Sequence, residues 1–151
     1  MKIDKKIEIK NKKALYEFFI EISFIAGIKL VGGTEIKSIR NHDVNFNDAY
    51  CLFEGKNFII RNLHISQYKY GTNNNHEPLR DRVLLLNKKE LKELKCGIEE
   101  KGMTIIPIKL FINNKGLVKV EIALCKGKKL YDKRNSIKEK DLKREIERGL
   151  N

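Results

Sequence analysis

Three carboxylates, Glu35, Asp43 and Asp48, lie close together in the sequence and could hold a catalytic metal. A nuclease uses such a cluster to bind a divalent ion that activates water or stabilises the leaving oxygen. No glycine-rich phosphate loop and no nucleophile paired with a base accompany these carboxylates. We therefore expect a protein that is not an enzyme.

The thiols and imidazoles are too dispersed to form a metal site. The three cysteines contain no C-x-x-C pair, and the three histidines show no H-E-x-x-H spacing. Scattered cysteines in a reducing compartment usually act as small buried apolar residues. We expect no metal, no disulfide and no cofactor. The residues concerned are Cys51, Cys96, Cys125, His42, His64 and His76.

Positive charge is the strongest functional signal in the composition. The 151 residues include 32 Lys or Arg against 20 Asp or Glu, a net charge of +12. Each phosphate that a basic side chain neutralises releases condensed counterions, so this excess favours a polyanionic partner. A lysine-rich genome could raise the charge without such a partner. Of the two explanations, the composition favours nucleic acid.

The length suits one domain, and the 41% apolar content supports a packed core. No stretch approaches the ~20 apolar residues of a membrane span. The charged start, residues 1–6, lacks the apolar run of a secretory signal. We expect a cytoplasmic monomer with no membrane partner.

Short strands dominate the pattern up to residue 125. The stretch Leu15–Ala26 fits both a helical stripe and strict alternation, and its aromatic and β-branched residues favour a strand. Pro107 requires an edge or a bulge in its strand. A hairpin is expected around the turn Glu54–Asn57. The remaining predicted strands are Ala49–Phe53, Phe58–Ile65, Val83–Leu86, Met103–Ile112 and Val118–Leu124.

Helix signals are fewer. Thr34 is expected to cap a short helix that ends near Arg40. Asn87 and Glu90 form a capping-box signature before a longer helix that Gly102 should end. The polar stretch Gly71–Pro78 is expected to be a surface loop.

These elements predict a mainly β protein with flanking helices, since a barrel removes the edges that short strands would otherwise expose. An OB-like antiparallel barrel over residues 1–125 is the natural small member of this class. One face of such a barrel commonly binds nucleic acid.

The remaining segment, residues 126–151, differs in kind. It holds ten Lys or Arg against five Asp or Glu and so contributes +5 to the net charge. Leu142, Ile146 and Leu150 form a narrow stripe at helical spacing, which is marginal for an isolated helix. We expect this basic tail to be disordered when free and helical when bound to a partner.

Six blocks of sequence, in order, resemble the small protein B family, the tmRNA-binding proteins of trans-translation. The tail block is Gly127–Arg134, which is similar to the family signature G-K-K-x-x-D-K-R, and Arg144-Glu145 resembles its R-E ending. The other five blocks are Asn11–Ala14, Ala26–Ile28, Gly33–Arg40, Asn45–Tyr50 and His76–Arg82.

The resemblance implies an OB-type barrel that binds the tRNA-like domain of tmRNA. It also implies a tail that enters the decoding centre and mRNA channel of a stalled 70S ribosome, against 16S rRNA. The implied tmRNA face comprises Asn11, Lys12, Lys37, Arg40, Tyr50, His76, Arg80 and Arg82. The implied ribosome-binding tail residues are Lys128, Lys129, Asp132, Lys133, Arg134, Lys138 and Arg144.

Alternatives remain for several of these residues. Tyr50 fits the barrel core as well as an RNA contact, and Glu35 with Lys37 fits a solvated helix face. The chain also departs from the family: Tyr16 and Phe18 replace its His-x-Tyr, Ile25 replaces an acidic residue near its RNA-binding surface, and Val83 replaces a basic one. A family glycine is replaced near His42. The competing function is a general OB-fold protein that binds tRNA or rRNA without a tmRNA role.

Overall fold

The computed structural model describes residues 7–71 and 75–127 of the chain. Nine strands and three helices are found within these ranges. In chain order they are β1 (Glu8–Lys10), α1 (Lys12–Glu17), β2 (Phe18–Ile28), α2 (Gly32–Arg40), β3 (Val44–Asn45), β4 (Tyr50–Glu54), β5 (Asn57–Arg61), β6 (His64–Ile65), β7 (Arg82–Leu85), α3 (Lys88–Lys101), β8 (Thr104–Ile112) and β9 (Val118–Gly127).

Six strands pair in a circuit that runs β8–β4–β5–β7–β2–β9 and back to β8. All of these pairings are antiparallel. The seam between β4 and β8 consists of one registered pair, Cys51 and Ile105, so the barrel is not strictly closed. Strand β1 pairs with the other half of β8, where Lys10 lies opposite Lys109. The predicted OB-like, mainly β fold is confirmed.

Local turn and bulge chemistry produces the strand register as predicted. The β4–β5 hairpin turns at Gly55, whose φ of +61° favours glycine. The pairing of β8 with β9 shifts register between Pro107 and Lys109, which is the bulge that a proline inside a strand requires. Gly116 takes the positive φ in the turn before β9.

The ambiguous stretch Leu15–Ala26 contains both structures. The helix α1 ends at Glu17, and the long strand β2 begins at the next residue. The preference for a strand is therefore correct from Phe18 onward and wrong before it. Apolar spacing alone could not locate the switch, because the same residues fit both periods.

Two helices flank the barrel, and their caps differ in how well the sequence predicts them. The α3 capping box is present, with Asn87 accepting from the backbone N–H of Glu90, and Gly102 ends the helix in the left-handed conformation. The predicted Thr34 cap is wrong: Val31 is the N-cap of α2, and the Thr34 hydroxyl bonds the His76 ring instead. His42, near the expected family glycine, has a φ of +59°.

The core fills the barrel interior and the space under α2 and α3. Ile60, Ile105 and Val120 from the barrel are fully buried, as are Ile39 of α2 and Leu94 of α3. Both helices therefore have fixed positions relative to the barrel, and their outer faces present charge to solvent.

Candidate nucleic-acid interface

One group of predicted contacts lines a cleft of about 630 Å³ between α1 and the β3–β4 connection. Asn11, Lys12 and Tyr50 all border it, together with Lys10 and Lys13. This clustering joins residues that are distant in sequence, because Ala14 of α1 packs in the same cluster as Tyr50 at the start of β4. The cleft combines lysines and amides with the carboxylates of Glu17 and Asp48, and its lysines can pair with a phosphate backbone.

Asn11 fixes the corner between β1 and α1. Its side-chain amide donates to the Pro107 carbonyl at 2.8 Å, and its backbone N–H donates to the Ile108 carbonyl at 2.8 Å. Both bonds tie the corner to β8, beside the bulge. The amide nitrogen of Asn11 therefore serves the fold, while the exposed Lys12 next to it is presented to solvent.

Tyr50 takes an intermediate position between core and surface. Its ring packs against the small buried cluster of Ala14, Ile106 and Cys125, yet the side chain still borders the cleft. The Tyr50 side chain also interacts with Arg61, whose pKa is raised by its hydrogen bonds to Asp81 and to Tyr50. Tyr50 therefore packs into the core and also borders the cleft, and its contact with RNA stays a prediction.

A second group lies on and beside α2. Lys37 and Arg40 are exposed and lie three residues apart, so they share one face of the helix. The other predicted members of this group, His76, Arg80 and Arg82, are hydrogen-bonded to protein groups, although Arg80 stays partly exposed.

Glu35, Arg80 and Arg82 form a buried ion-pair network. Arg80 Nε donates to one carboxylate oxygen of Glu35 at 2.6 Å, and Arg82 Nε donates to the other at 3.0 Å. The side chains of Glu35 and Arg82 are 0% exposed, and that of Arg80 is 23% exposed. Glu35 is therefore neither a solvated helix residue nor an available metal ligand.

Arg82 holds the loop before β7 together. Its guanidinium also donates to the backbone carbonyls of Leu63 at 2.7 Å and Pro78 at 3.1 Å. Burial lowers the pKa of Arg82, and the Glu35 carboxylate opposes that shift. The Arg82 guanidinium donates to protein acceptors in this structure, and its contact with RNA stays a prediction. Arg80 bonds the Lys29 carbonyl as well and keeps only a partial exposure.

His76 is likewise directed into the protein. Its ring is 4% exposed, with Nδ1 2.9 Å from the Thr34 hydroxyl oxygen and Nε2 2.8 Å from the Ile65 carbonyl oxygen. The carbonyl can only accept, so Nε2 carries the proton. His76 therefore links α2 to the loop, and its contact with RNA stays a prediction.

The structure shows one surface that the sequence reasoning missed. Ile25 and Leu85 are 57% and 51% exposed, on neighbouring strands β2 and β7. Between them lies Gly27, where a Cβ would come within 3.4 Å of Leu85 Cβ and 3.7 Å of Lys119 Nζ. We call Ile25, Gly27, Leu85 and Lys119 the plateau. Exposed apolar groups beside a cation suit the face and sugar of a nucleotide.

The sequence carried one signal for the plateau. Ile25 occupies the position at which the family has an acidic residue near its RNA-binding surface. Leu85 gave no comparable signal of exposure. Leu84 and Leu85 are adjacent apolar residues, and such a pair in a short strand usually indicates core.

The predicted ribosome-binding residues, Lys128, Lys129, Asp132, Lys133, Arg134, Lys138 and Arg144, lie outside the described residues. Within residues 7–71 and 75–127, no group of three or more His, Cys, Asp or Glu could hold a metal ion. In the same ranges, no helix is long and apolar enough to cross a membrane.

The pKa values of the three thiols are raised. Burial raises the pKa of Cys51, and it raises the pKa of Cys125 to about 11. Cys96 is exposed, but its Sγ donates to the Glu100 carboxylate at 3.0 Å, which raises its pKa as well. All three cysteines are unpaired.

The fold and these surfaces together define a small OB-like barrel protein with a basic exterior. Comparison with known proteins identifies its family. A sequence model of the SmpB protein family matches residues 8–151, and the chain belongs to this family.

Individual relatives agree with the family assignment. The chain is 52% identical over 146 residues to the SsrA-binding protein of Cytophaga hutchinsonii, with 97% of this chain and 95% of the relative covered. It is 48% identical to that of Parabacteroides distasonis, with 99% and 97% covered.

A solved structure also matches, described as "tmRNA-SmpB: a journey to the center of the bacterial ribosome". The TM-score is 0.71 at 36% sequence identity, over 87% of this chain and 94% of that chain. The likeness therefore covers most of both chains.

Proposed function

We propose that this chain binds the tRNA-like domain of SsrA RNA, or tmRNA, and delivers it to stalled ribosomes for trans-translation. The observation that carries the proposal is membership of the SmpB family over nearly the whole chain. The basic surfaces of the barrel supply the physical means, because phosphate contacts provide most of the affinity for a folded RNA.

The barrel contributes shape and charge rather than catalysis. Lys12 in the cleft and Lys37 with Arg40 on α2 are exposed cations that can pair with phosphates. The plateau offers apolar contact beside Lys119. In this proposal Arg80, Arg82 and His76 hold α2 and the loop before β7 in place, so that the exposed residues keep their spacing.

The basic tail is proposed to act separately, in the decoding centre and mRNA channel. The first two residues of the expected segment 126–151, Lys126 and Gly127, belong to β9, so the separate part begins after them. The excess of +5 in residues 126–151 favours 16S rRNA phosphates. A segment that gains helical structure when bound can occupy a channel that a rigid domain cannot enter. In this role the protein works in the cytoplasm, where ribosomes translate, and it performs no chemical step.

The test is an affinity comparison at several salt concentrations. We expect the chain to bind the isolated tRNA-like domain more tightly than an unrelated structured RNA of the same length. The logarithm of the binding constant should fall linearly with the logarithm of salt, with a slope of about −0.7 to −0.9 for each phosphate contacted. Equal affinity for both RNAs would favour a general RNA-binding barrel, and metal-dependent RNA cleavage would favour an enzyme.

A further inference from the structure

Two tyrosines in the segment after β6 belong to neither the cleft nor the plateau. Tyr68 and Tyr70 lie edge to face, with ring centroids 5.6 Å apart and planes at 68°. Tyr68 is half-buried, whereas Tyr70 is 74% exposed, the largest fraction among the exposed large hydrophobic residues of the described ranges. We call this pair the tyrosine platform.

The base of the platform is held by side-chain hydrogen bonds. The Asn75 amide oxygen accepts from the Tyr68 N–H at 3.1 Å, and its nitrogen donates to the Tyr68 carbonyl at 2.8 Å. A Cβ at Gly71 would lie 2.5 Å from that amide nitrogen, so the glycine lets the amide close. Gln67 donates to the His76 carbonyl at 3.3 Å. The platform is therefore built on a fixed base, which lowers the ordering cost of binding.

Two lysines flank the rings. Lys37 Nζ lies 5.1 Å from the centroid of Tyr68, and Lys69 Nζ lies 5.8 Å from that of Tyr70. Neither forms an ion pair with a carboxylate in the part of the chain that the structure describes. Both ammonium groups can thus bind a phosphate while they remain next to an aromatic ring.

We infer that the tyrosine platform is a binding site for an unpaired RNA base, which stacks on Tyr70 while Lys37 and Lys69 bind the adjoining phosphates. A base presents a flat π-face with a phosphate a few ångströms away, and an exposed ring between two cations matches both parts. A partner helix that docks through its apolar face is the less suitable occupant. It would need a continuous apolar surface on this protein, and Lys69 interrupts the surface between Tyr68 and Tyr70. The inference deepens the proposed function and rests on it. The ligand of the tyrosine platform is RNA.

The chain itself offers a direct reporter, because it contains no tryptophan. The full-length Tyr70→Trp variant has a single indole at the platform, and a base stacked on an indole quenches its emission. Two probes distinguish the source of the base: the isolated tRNA-like domain of SsrA RNA, and purified small ribosomal subunits. We expect quenching at saturation with one of them, which then identifies the RNA that supplies the base.

A parallel affinity measurement uses Tyr70→Ala with Leu117→Ala as the control. Leu117 is also exposed, at 54%, but lies in the turn between β8 and β9. Loss of one stacked base should weaken binding to the quenching RNA by about fivefold or more, and the control should change it by less than about twofold. Circular dichroism verifies that both variants are folded.

The outcomes separate this inference from the proposed function. Unchanged emission at saturation with both RNAs would overturn the platform as a stacking site, and so would wild-type affinity of Tyr70→Ala for both. Failure of the unmodified chain to bind either RNA would overturn the proposed function as well.

Discussion

Neutralising Glu35 tests whether the buried ion-pair network holds α2 and the loop before β7 together. In the Glu35→Gln variant, Arg82 keeps its charge at 0% exposure without a carboxylate partner. Removing one partner of a buried ion pair costs about 3–5 kcal/mol. Arg82 retains the carbonyl acceptors of Leu63 and Pro78, so we expect the lower end, about 3 kcal/mol.

The assay is urea unfolding followed by far-ultraviolet circular dichroism, which gives the free energy of unfolding, together with the melting temperature. For a chain of this length, a loss of about 3 kcal/mol corresponds to a fall of about 6–12 °C in Tm. The matched control is Asp81→Asn. This change removes a carboxylate from the surface pair that Asp81 forms with Arg61 at 3.0 Å, where solvent screens the interaction.

The reasoning predicts that the control stays close to the wild-type stability while Glu35→Gln falls well below it. A Glu35→Gln protein within about 1 kcal/mol of wild type would refute the claim that the network stabilises the fold. Equal losses in both variants would show that burial does not distinguish the two ion pairs.

Three further predictions concern packing, thiol reactivity and the tail. In Gly97→Ala the new methyl group would overlap the buried side chain of Leu124. The free energy of unfolding, measured by urea titration, should fall by about 1–2 kcal/mol, and the second change Leu124→Val should restore part of it. Because the Glu100 carboxylate raises the pKa of Cys96, Glu100→Gln should lower that pKa and speed iodoacetamide modification at pH 8, followed by mass spectrometry; an unchanged rate would contradict this. Deleting residues 133–151 should preserve affinity for the tRNA-like domain in binding titrations yet abolish peptide tagging; lost RNA binding would contradict the proposed division of roles.

Local rules were sufficient for much of the fold. The Asn87 capping box, the left-handed Gly102 and the bulge at Pro107 each depend on neighbours a few residues away, and all three are present. Strand alternation located β9 in the same way. The helix α1 was missed because the apolar residues of this stretch fit both periods, and the switch to strand falls between Glu17 and Phe18 without a local signal.

The site was less accessible to sequence reasoning, because it depends on long-range pairing. Arg82 and Glu35 are 47 residues apart, and no local pattern shows that each satisfies the other inside the protein. The sequence reasoning assigned Arg82 to RNA and could not show the hydrogen bonds that this side chain makes inside the protein. The reverse holds for Leu85: its apolar side chain predicts burial, yet it lies at the surface.

The most direct test of the whole account is peptide tagging in a reconstituted translation system. Ribosomes are stalled on a message without a stop codon, and alanylated SsrA RNA is supplied with or without this protein. The account predicts that the nascent chain acquires the tag only when the protein is present. Tagging at the same rate in its absence, or no tagging in its presence, would contradict the proposed function.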